Sequence, residues 1–215
     1  MIYSPSTPRN SQQDFLEITM TDLFISTKNI HKIKEFKRIL EPLGINIVSE
    51  QDLGRDLPDV VEDGETLQEN SLLKARAGAQ QTGMISVADD TGLFVKALGG
   101  EPGIFAARYA GEGCTPADNR KKMLEAMKNV PDGERDAYFE CTIACVFPDG
   151  REICVAGRCD GWISKDEIGD LAFGYDAIFE CEKGRFSVIS GDDKDSVSHR
   201  GRALRAFAEE ITKYL

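Results

Sequence analysis

The chain has 215 residues, 41% hydrophobic and 29% charged, which suits one medium-sized globular domain with a sizeable core. Its formal net charge of −11 argues against a role on nucleic acid or on an anionic membrane surface. No apolar run is long enough to span a bilayer.

Residues 1–19 are polar and lack the apolar centre of a signal peptide, and Met20 directly precedes the first strand-like run. Residues 1–20 therefore read as a disordered leader ahead of a single domain over 21–215, with the cytoplasm as the default location. Leu23 to Ser26 reads as a short buried strand. Ile30, Ile33, Phe36, Ile39, Leu40 and Leu43 keep helical spacing, and Gly44 ends that helix. Ile45 to Val48 is a second short strand. Thr66 and Glu69 form a capping-box pair that opens a helix reaching about Gln81, with Gly83 as its stop. Ile85 to Ala88 is a third strand, followed by Asp89 and Asp90 and by a turn at Thr91-Gly92. Thr115-Pro116 starts a helix carrying Met123, Leu124 and Met127.

Tyr138 to Phe147 and Glu152 to Ile163, joined by Pro148-Asp149-Gly150, spell a β-hairpin. A glycine-punctuated loop covers 166–176, and short strands follow at Ala177 to Glu180 and Arg185 to Ile189. Ser198 caps a last helix whose apolar face is Leu204, Phe207, Ala208, Ile211 and Leu215. Strands and helices alternate around one hairpin, so the class is α/β with a mixed sheet. Six cysteines show no Cys-x-x-Cys pair and only two histidines exist, which disfavours zinc. Cys141, Cys145 and Cys154 lie in strand-like runs and read as small core hydrophobes.

Chemistry concentrates in four places. Asp89 and Asp90 fall at a strand end, where open α/β sheets place ligands. Two adjacent anions call for a divalent cation or an arginine, although an Asp-rich turn with solvated carboxylates reads equally well. Lys28, His31, Lys32, Lys34, Lys37 and Arg38 cluster on one helix with only Glu35 among them. Lys28 and Lys32 sit at its N-terminus, against the helix dipole, which points to a bound anion there. Lys194, His199 and Arg200 repeat the pattern at the last helix. Glu62 lies in a loop without a structural duty and, with the Asp pair, suits Mg²⁺. Phe173-Gly174-Tyr175-Asp176 lies in a loop, where Phe173 reads first as a core anchor and alternatively as a platform for a nucleobase.

Taken in order from about residue 22 onward, several stretches resemble the inosine/xanthosine triphosphate pyrophosphatase family. They are Ser26-Thr27-Lys28-Asn29-Ile30-His31-Lys32, Glu69 to Ala75, Ala88 to Leu93, Pro102 to Gly111, Phe173 to Phe179 and Ser198 to Gly201. The resemblance implies an elongated mixed sheet flanked by helices in two lobes, with the active site in the cleft between them, and commonly a homodimer. It implies a Mg²⁺-dependent hydrolase that converts ITP, dITP or XTP to the monophosphate and pyrophosphate. It assigns Glu62 and Asp90 to the metal, and Asp90 also to activating water. Thr27, Lys28, Asn29, Ile30, His31 and Lys32 would cradle the triphosphate together with Lys74, and Thr91 takes the place of a usual serine. Phe173, Gly174, Tyr175 and Asp176, with Lys194, His199 and Arg200, would form the base pocket. Lys28 departs from a usual glycine, and Ala177 from a usual proline. The rival readings are a pyrophosphatase for other modified nucleotides and a nucleotide-sensing module without turnover.

Overall fold

The computed structural model describes residues 20–169 and 173–214. The expected leader lies outside the described residues except for Met20, and so does Leu215. In chain order the elements begin β1 (Thr21–Ile25), α1 (Ile30–Leu40), β2 (Ile45–Val48), α2 (Leu67–Thr82), β3 (Ile85–Val95) and β4 (Pro102–Gly103). They continue with α3 (Pro116–Ala126), β5 (Asp136–Val146), β6 (Glu152–Ile163), β7 (Phe179–Cys181), β8 (Gly184–Arg185), α4 (Gly191–Val197) and α5 (His199–Ile211). One sheet runs β2-β1-β3-β5-β6-β7-β8, with β4 paired to β3. β1 is parallel to β2 and β3, and every other pairing is antiparallel, so the sheet is mixed as expected.

The local signals mostly act where they stand. Thr66 accepts from Glu69 N, and Glu69 returns a bond to the Thr66 backbone, closing the capping box. Gly83 ends α2 at φ 72°, whereas α1 stops at Leu40 and Gly44, at φ 81°, ends the 3-10 turn Glu41–Leu43 that follows it; both sit in the left-handed region that glycine enters without a Cβ penalty. Ser198 accepts from Gly201 N and starts α5.

Four expectations are corrected. Thr91-Gly92 is not a turn, and Asp89 and Asp90 do not end a strand: β3 continues to Val95. Its partner β5 offers an unbroken ladder from Ser86↔Val146 to Val95↔Ala137, and those bonds outweigh the turn preference of the local residues. Gly92 serves close approach instead, since a Cβ there would lie 2.9 Å from the Gly103 carbonyl and 2.7 Å from the Phe94 ring. The strands expected at 177–180 and 185–189 shrink to β7 and β8. Between them and α5 stands α4, a polar helix without the apolar period that would have announced it. Cys154 is exposed, because it stands on the face of β6 that also leaves Glu152 and Ala156 exposed, whereas Cys141 and Cys145 are buried.

The core explains where a cleft can exist. One apolar cluster joins β1, β2, α1 and α5 to Val87, Cys141, Ile143 and Cys145. A second joins Leu93, Val95, Phe139 and Ile163 to α3, β7 and Phe186. Along one face of β3, Val87 belongs to the first cluster and Leu93 to the second. Asp89 and Thr91 occupy the two positions between them, where apolar packing is interrupted.

Candidate active site

β1 ends at Ile25, and its pairing with β3 stops at Ile25↔Val87. Beyond that point β3 has β5 on one side only, until β4 joins at Leu93↔Gly103. Asp89 to Thr91 border this gap, opposite the N-terminus of α1. Adjacent strand residues point to opposite faces. Asp89 therefore turns toward α1 and α5, and Asp90 toward α2.

On the α2 side, a cavity of about 410 Å³ is lined by Thr27, Lys28, Asn29, Lys32, Glu62, Lys74, Asp90, Thr91 and Arg108, among others. Asn29 caps α1, accepting from His31 N at 3.0 Å and Lys32 N at 3.4 Å. Lys74 Nζ lies 2.7 Å from Glu62 Oε2 and 3.3 Å from Asp90 Oδ1. Burial disfavours the Lys74 ammonium, but Asp90, Asp89 and Glu62 outweigh it and raise its pKa. Burial raises the Asp90 pKa; Lys74 and Lys32 oppose the rise, Glu62 and Asp89 add to it, and the net is upward. Lys28 reaches out of the loop between β1 and α1 to Asp59, 2.7 Å away.

A second cavity of about 240 Å³ is lined by Phe139, Phe173, Gly174, Tyr175, Asp176, Lys194, His199 and Arg200. It shares Asn29, Lys32, Asp90, Thr91 and Ala107 with the first, so the two form one bent cleft with Asp90 at the elbow. The Tyr175 hydroxyl donates to the Ala106 carbonyl at 2.8 Å, pinning the loop. His199 stacks on Phe139 with centroids 4.5 Å apart, and its Nδ1 has no hydrogen-bond partner. Burial, then Arg200 and Lys194, push its pKa well down, so the imidazole is neutral at pH 7.

Behind the cleft the charges are paired in series. Lys32 Nζ lies 3.0 Å from Asp89 Oδ1, close but poorly aligned for a hydrogen bond. Arg200 donates from Nε to Asp89 Oδ2 at 3.1 Å, from Nη1 to Glu35 Oε2 at 2.6 Å and from Nη2 to Thr91 Oγ1 at 3.2 Å. Glu35 Oε1 also lies 3.7 Å from Lys194, whose ammonium donates to Asp176 at 2.5 Å. Burial opposes ionisation of Asp89, yet Lys32, Arg200 and Lys74 overcome it and hold its carboxyl well below the usual range.

Two glycines seat the turn that carries His199 and Arg200. A Cβ on Gly157 of β6 would lie 2.3 Å from the His199 carbonyl oxygen, and one on Gly201 would lie 1.9 Å from that of Asp195. Any larger residue at either place pushes the start of α5 away from the sheet or from α4.

The donor set fits Mg²⁺. Two carboxylates from different segments already converge on one cationic atom, Lys74 Nζ. Among the described residues no group of three or more potential metal ligands gathers at a point. Mg²⁺ suits such a pair because it keeps several waters and takes further oxygens from a phosphate substrate.

The structure brings fifteen of the seventeen expected residues to the cleft wall; Ile30 and His31 are the exceptions. Ile30 is exposed, and His31 stacks on Phe173 at 4.9 Å. Sequence reasoning missed Arg108, Glu35 and the part played by Asp89. Arg108 stood in the Pro102 to Gly111 stretch without a role, and Glu35 showed only as the lone acid on a basic helix. A second groove of about 490 Å³, against the start of α2, is lined by Glu65 and Glu140 and by no basic residue.

A bent cleft, lined by lysines, an arginine and carboxylates in one arm and by aromatic rings in the other, with Asp90 at the elbow, defines an α/β protein built to hold a nucleoside polyphosphate. A profile of the Ham1 family matches residues 23–210, and the chain belongs to that family. It is 38% identical over 200 residues to a dITP/XTP pyrophosphatase of Bacillus cereus, covering 91% of this chain and 97% of the relative. A dITP/XTP pyrophosphatase of Geobacter sulfurreducens is 41% identical over 194 residues, covering 89% and 97%. The solved structure of the Staphylococcus aureus Ham1 protein superposes with a TM-score of 0.78 at 34% identity, covering 91% of this chain and all of that one.

Proposed function

We propose that this protein hydrolyses deaminated purine nucleoside triphosphates (ITP, dITP and XTP) to the monophosphate and pyrophosphate, with Mg²⁺ as cofactor. The observation that carries the reading is the bent cleft, whose two arms meet at Asp90. The dITP/XTP pyrophosphatase activity named for its relatives supports it. Lys32, Lys74 and Arg108 would neutralise the triphosphate, with Asn29 ordering the start of α1. Asp90 accepts the proton of the attacking water. The water oxygen bonds to the α-phosphorus, the α–β anhydride bond breaks, and pyrophosphate leaves. Glu62 and Asp90 would hold Mg²⁺, which supplies charge neutralisation for the departing pyrophosphate.

Base choice follows from donor chemistry. The Arg200 N–H groups not spent on Asp89, Glu35 and Thr91, together with Lys194, suit a purine 6-keto acceptor. Adenine's 6-amino group is itself a donor and leaves them unpaired. The family resemblance supports a homodimer, and the cytoplasm stays the default location. The net charge of −11 speaks against nucleic acid or an anionic membrane surface as a partner.

The test is pyrophosphate release from ITP, dITP, XTP, ATP and GTP, with Mg²⁺ and with excess chelator. Preferred turnover of ITP, dITP and XTP that vanishes with chelator is expected. Orthophosphate as the product, ATP as the preferred substrate, or no turnover would overturn the reading.

A further inference from the structure

Asp89 is an unusual carboxylate. Its side chain is fully buried, and it lines neither arm of the cleft, so it is placed to touch neither substrate nor metal. Both oxygens are engaged: Oδ1 faces the Lys32 ammonium, and Oδ2 takes the Arg200 guanidinium at 3.1 Å with the Thr91 hydroxyl at 3.3 Å. The two cations are placed differently. Lys32 lines both cavities, at the junction of the arms, whereas Arg200 lines only the aromatic one. Because a buried anion must be compensated, neither cation can leave without strengthening the hold on the other.

We propose that Asp89 is a positioning residue that couples the two halves of the substrate site, restraining Lys32 from the triphosphate and fixing Arg200 against the base. This rests on the reading above that Lys32 meets phosphate and Arg200 meets the purine. When phosphate oxygens draw Lys32 forward, its contact with Asp89 weakens and the carboxylate binds Arg200 more tightly. The guanidinium is thereby most rigid when a triphosphate is seated. Glu35 completes the restraint from α1, holding Arg200 at 2.6 Å on the far side of its fork.

The test is Asp89→Asn, which keeps the shape and removes the charge. Two quantities are read: the affinity of inorganic tripolyphosphate by calorimetry, and the kcat/KM ratio of ITP to ATP. They should move in opposite directions. Tripolyphosphate should bind about tenfold more tightly because Lys32 is released, while the ITP:ATP ratio should fall about tenfold because Arg200 is no longer fixed. The Mg²⁺ concentration giving half-maximal activity should stay within about twofold of wild type. Damage to the fold weakens both quantities together, and that result would overturn the proposal. So would no change in either, or a large rise in the Mg²⁺ requirement.

If Asp89→Asn does not fold, Asp89→Glu decides. It keeps the charge near Lys32 but lengthens the arm toward Arg200, so tripolyphosphate affinity should hold within about twofold while the ITP:ATP ratio falls. An unaltered ratio would overturn the proposal. Tripolyphosphate binding needs no turnover. A wild-type enzyme without ITP preference would therefore count against the functional reading, while the binding arm still judges Asp89.

Discussion

Lys74→Met replaces a buried ammonium with an apolar side chain of similar length, at the point where Glu62 and Asp90 meet. The ammonium lies 2.7 Å from one carboxylate and 3.3 Å from the other. At an effective dielectric of about 20, each contact near 3 Å carries roughly 5 kcal/mol of gross attraction, most of which desolvation cancels. Breaking a buried ion pair costs about 3–5 kcal/mol, because the remaining charge is stranded. Glu62 has a side chain 38% exposed, so water takes up part of the loss there. The expected cost is about 2–3 kcal/mol, or roughly 5–10 °C in melting temperature for a domain of this length. Two unpaired carboxylates then bind Mg²⁺ more tightly, so saturating Mg²⁺ should restore more stability to the variant than it adds to wild type. Thermal melts with and without Mg²⁺, and calorimetric Mg²⁺ titration, read both effects. A variant melting with wild type would show that Lys74 is not holding the pair together. A destabilised variant with no added response to Mg²⁺ would show that Glu62 and Asp90 do not bind the ion.

Asp90→Asn should lower kcat by about 10²-fold or more with the fold intact, and a near-normal kcat would place the proton acceptor elsewhere. Gly157→Ala puts a methyl into the His199 carbonyl and should cost about 1–3 kcal/mol in denaturant unfolding, with a loss of base discrimination; wild-type stability would refute the close packing. His199 is neutral in the folded state and titrates near 6.5 in the unfolded chain. The unfolded state thus takes up the extra proton, so stability is unaffected by this group above about pH 6.5 and falls as pH drops below it. His199→Phe should flatten that slope between pH 7.5 and pH 5 in denaturant melts, and an unchanged slope would show that another group causes it.

The sequence by itself determined what depends on neighbours in the chain. Helix starts at Asn29, Thr66, Thr115 and Ser198, stops at Gly44 and Gly83, and the 138–163 hairpin are set by caps, left-handed glycines and periodicity within a few residues. The ordered motifs also marked much of the cleft wall, because each motif is a short local run, but not Glu50, the 57–60 segment or Phe139, which line it too. Tertiary structure alone decided the rest. Asp-Asp-Thr-Gly reads locally as a turn, yet it is strand, because β5 supplies a ladder that no local window contains. The Asp pair looked like one anionic site until the pleat sent Asp90 to Glu62 and Lys74, and Asp89 to Lys32 and Arg200. Asp89 and Arg200 are 111 positions apart, and Glu35 and Arg200 are 165 apart. No spacing along the chain announces such pairs; they exist because α1 and α5 pack on the same face of the sheet.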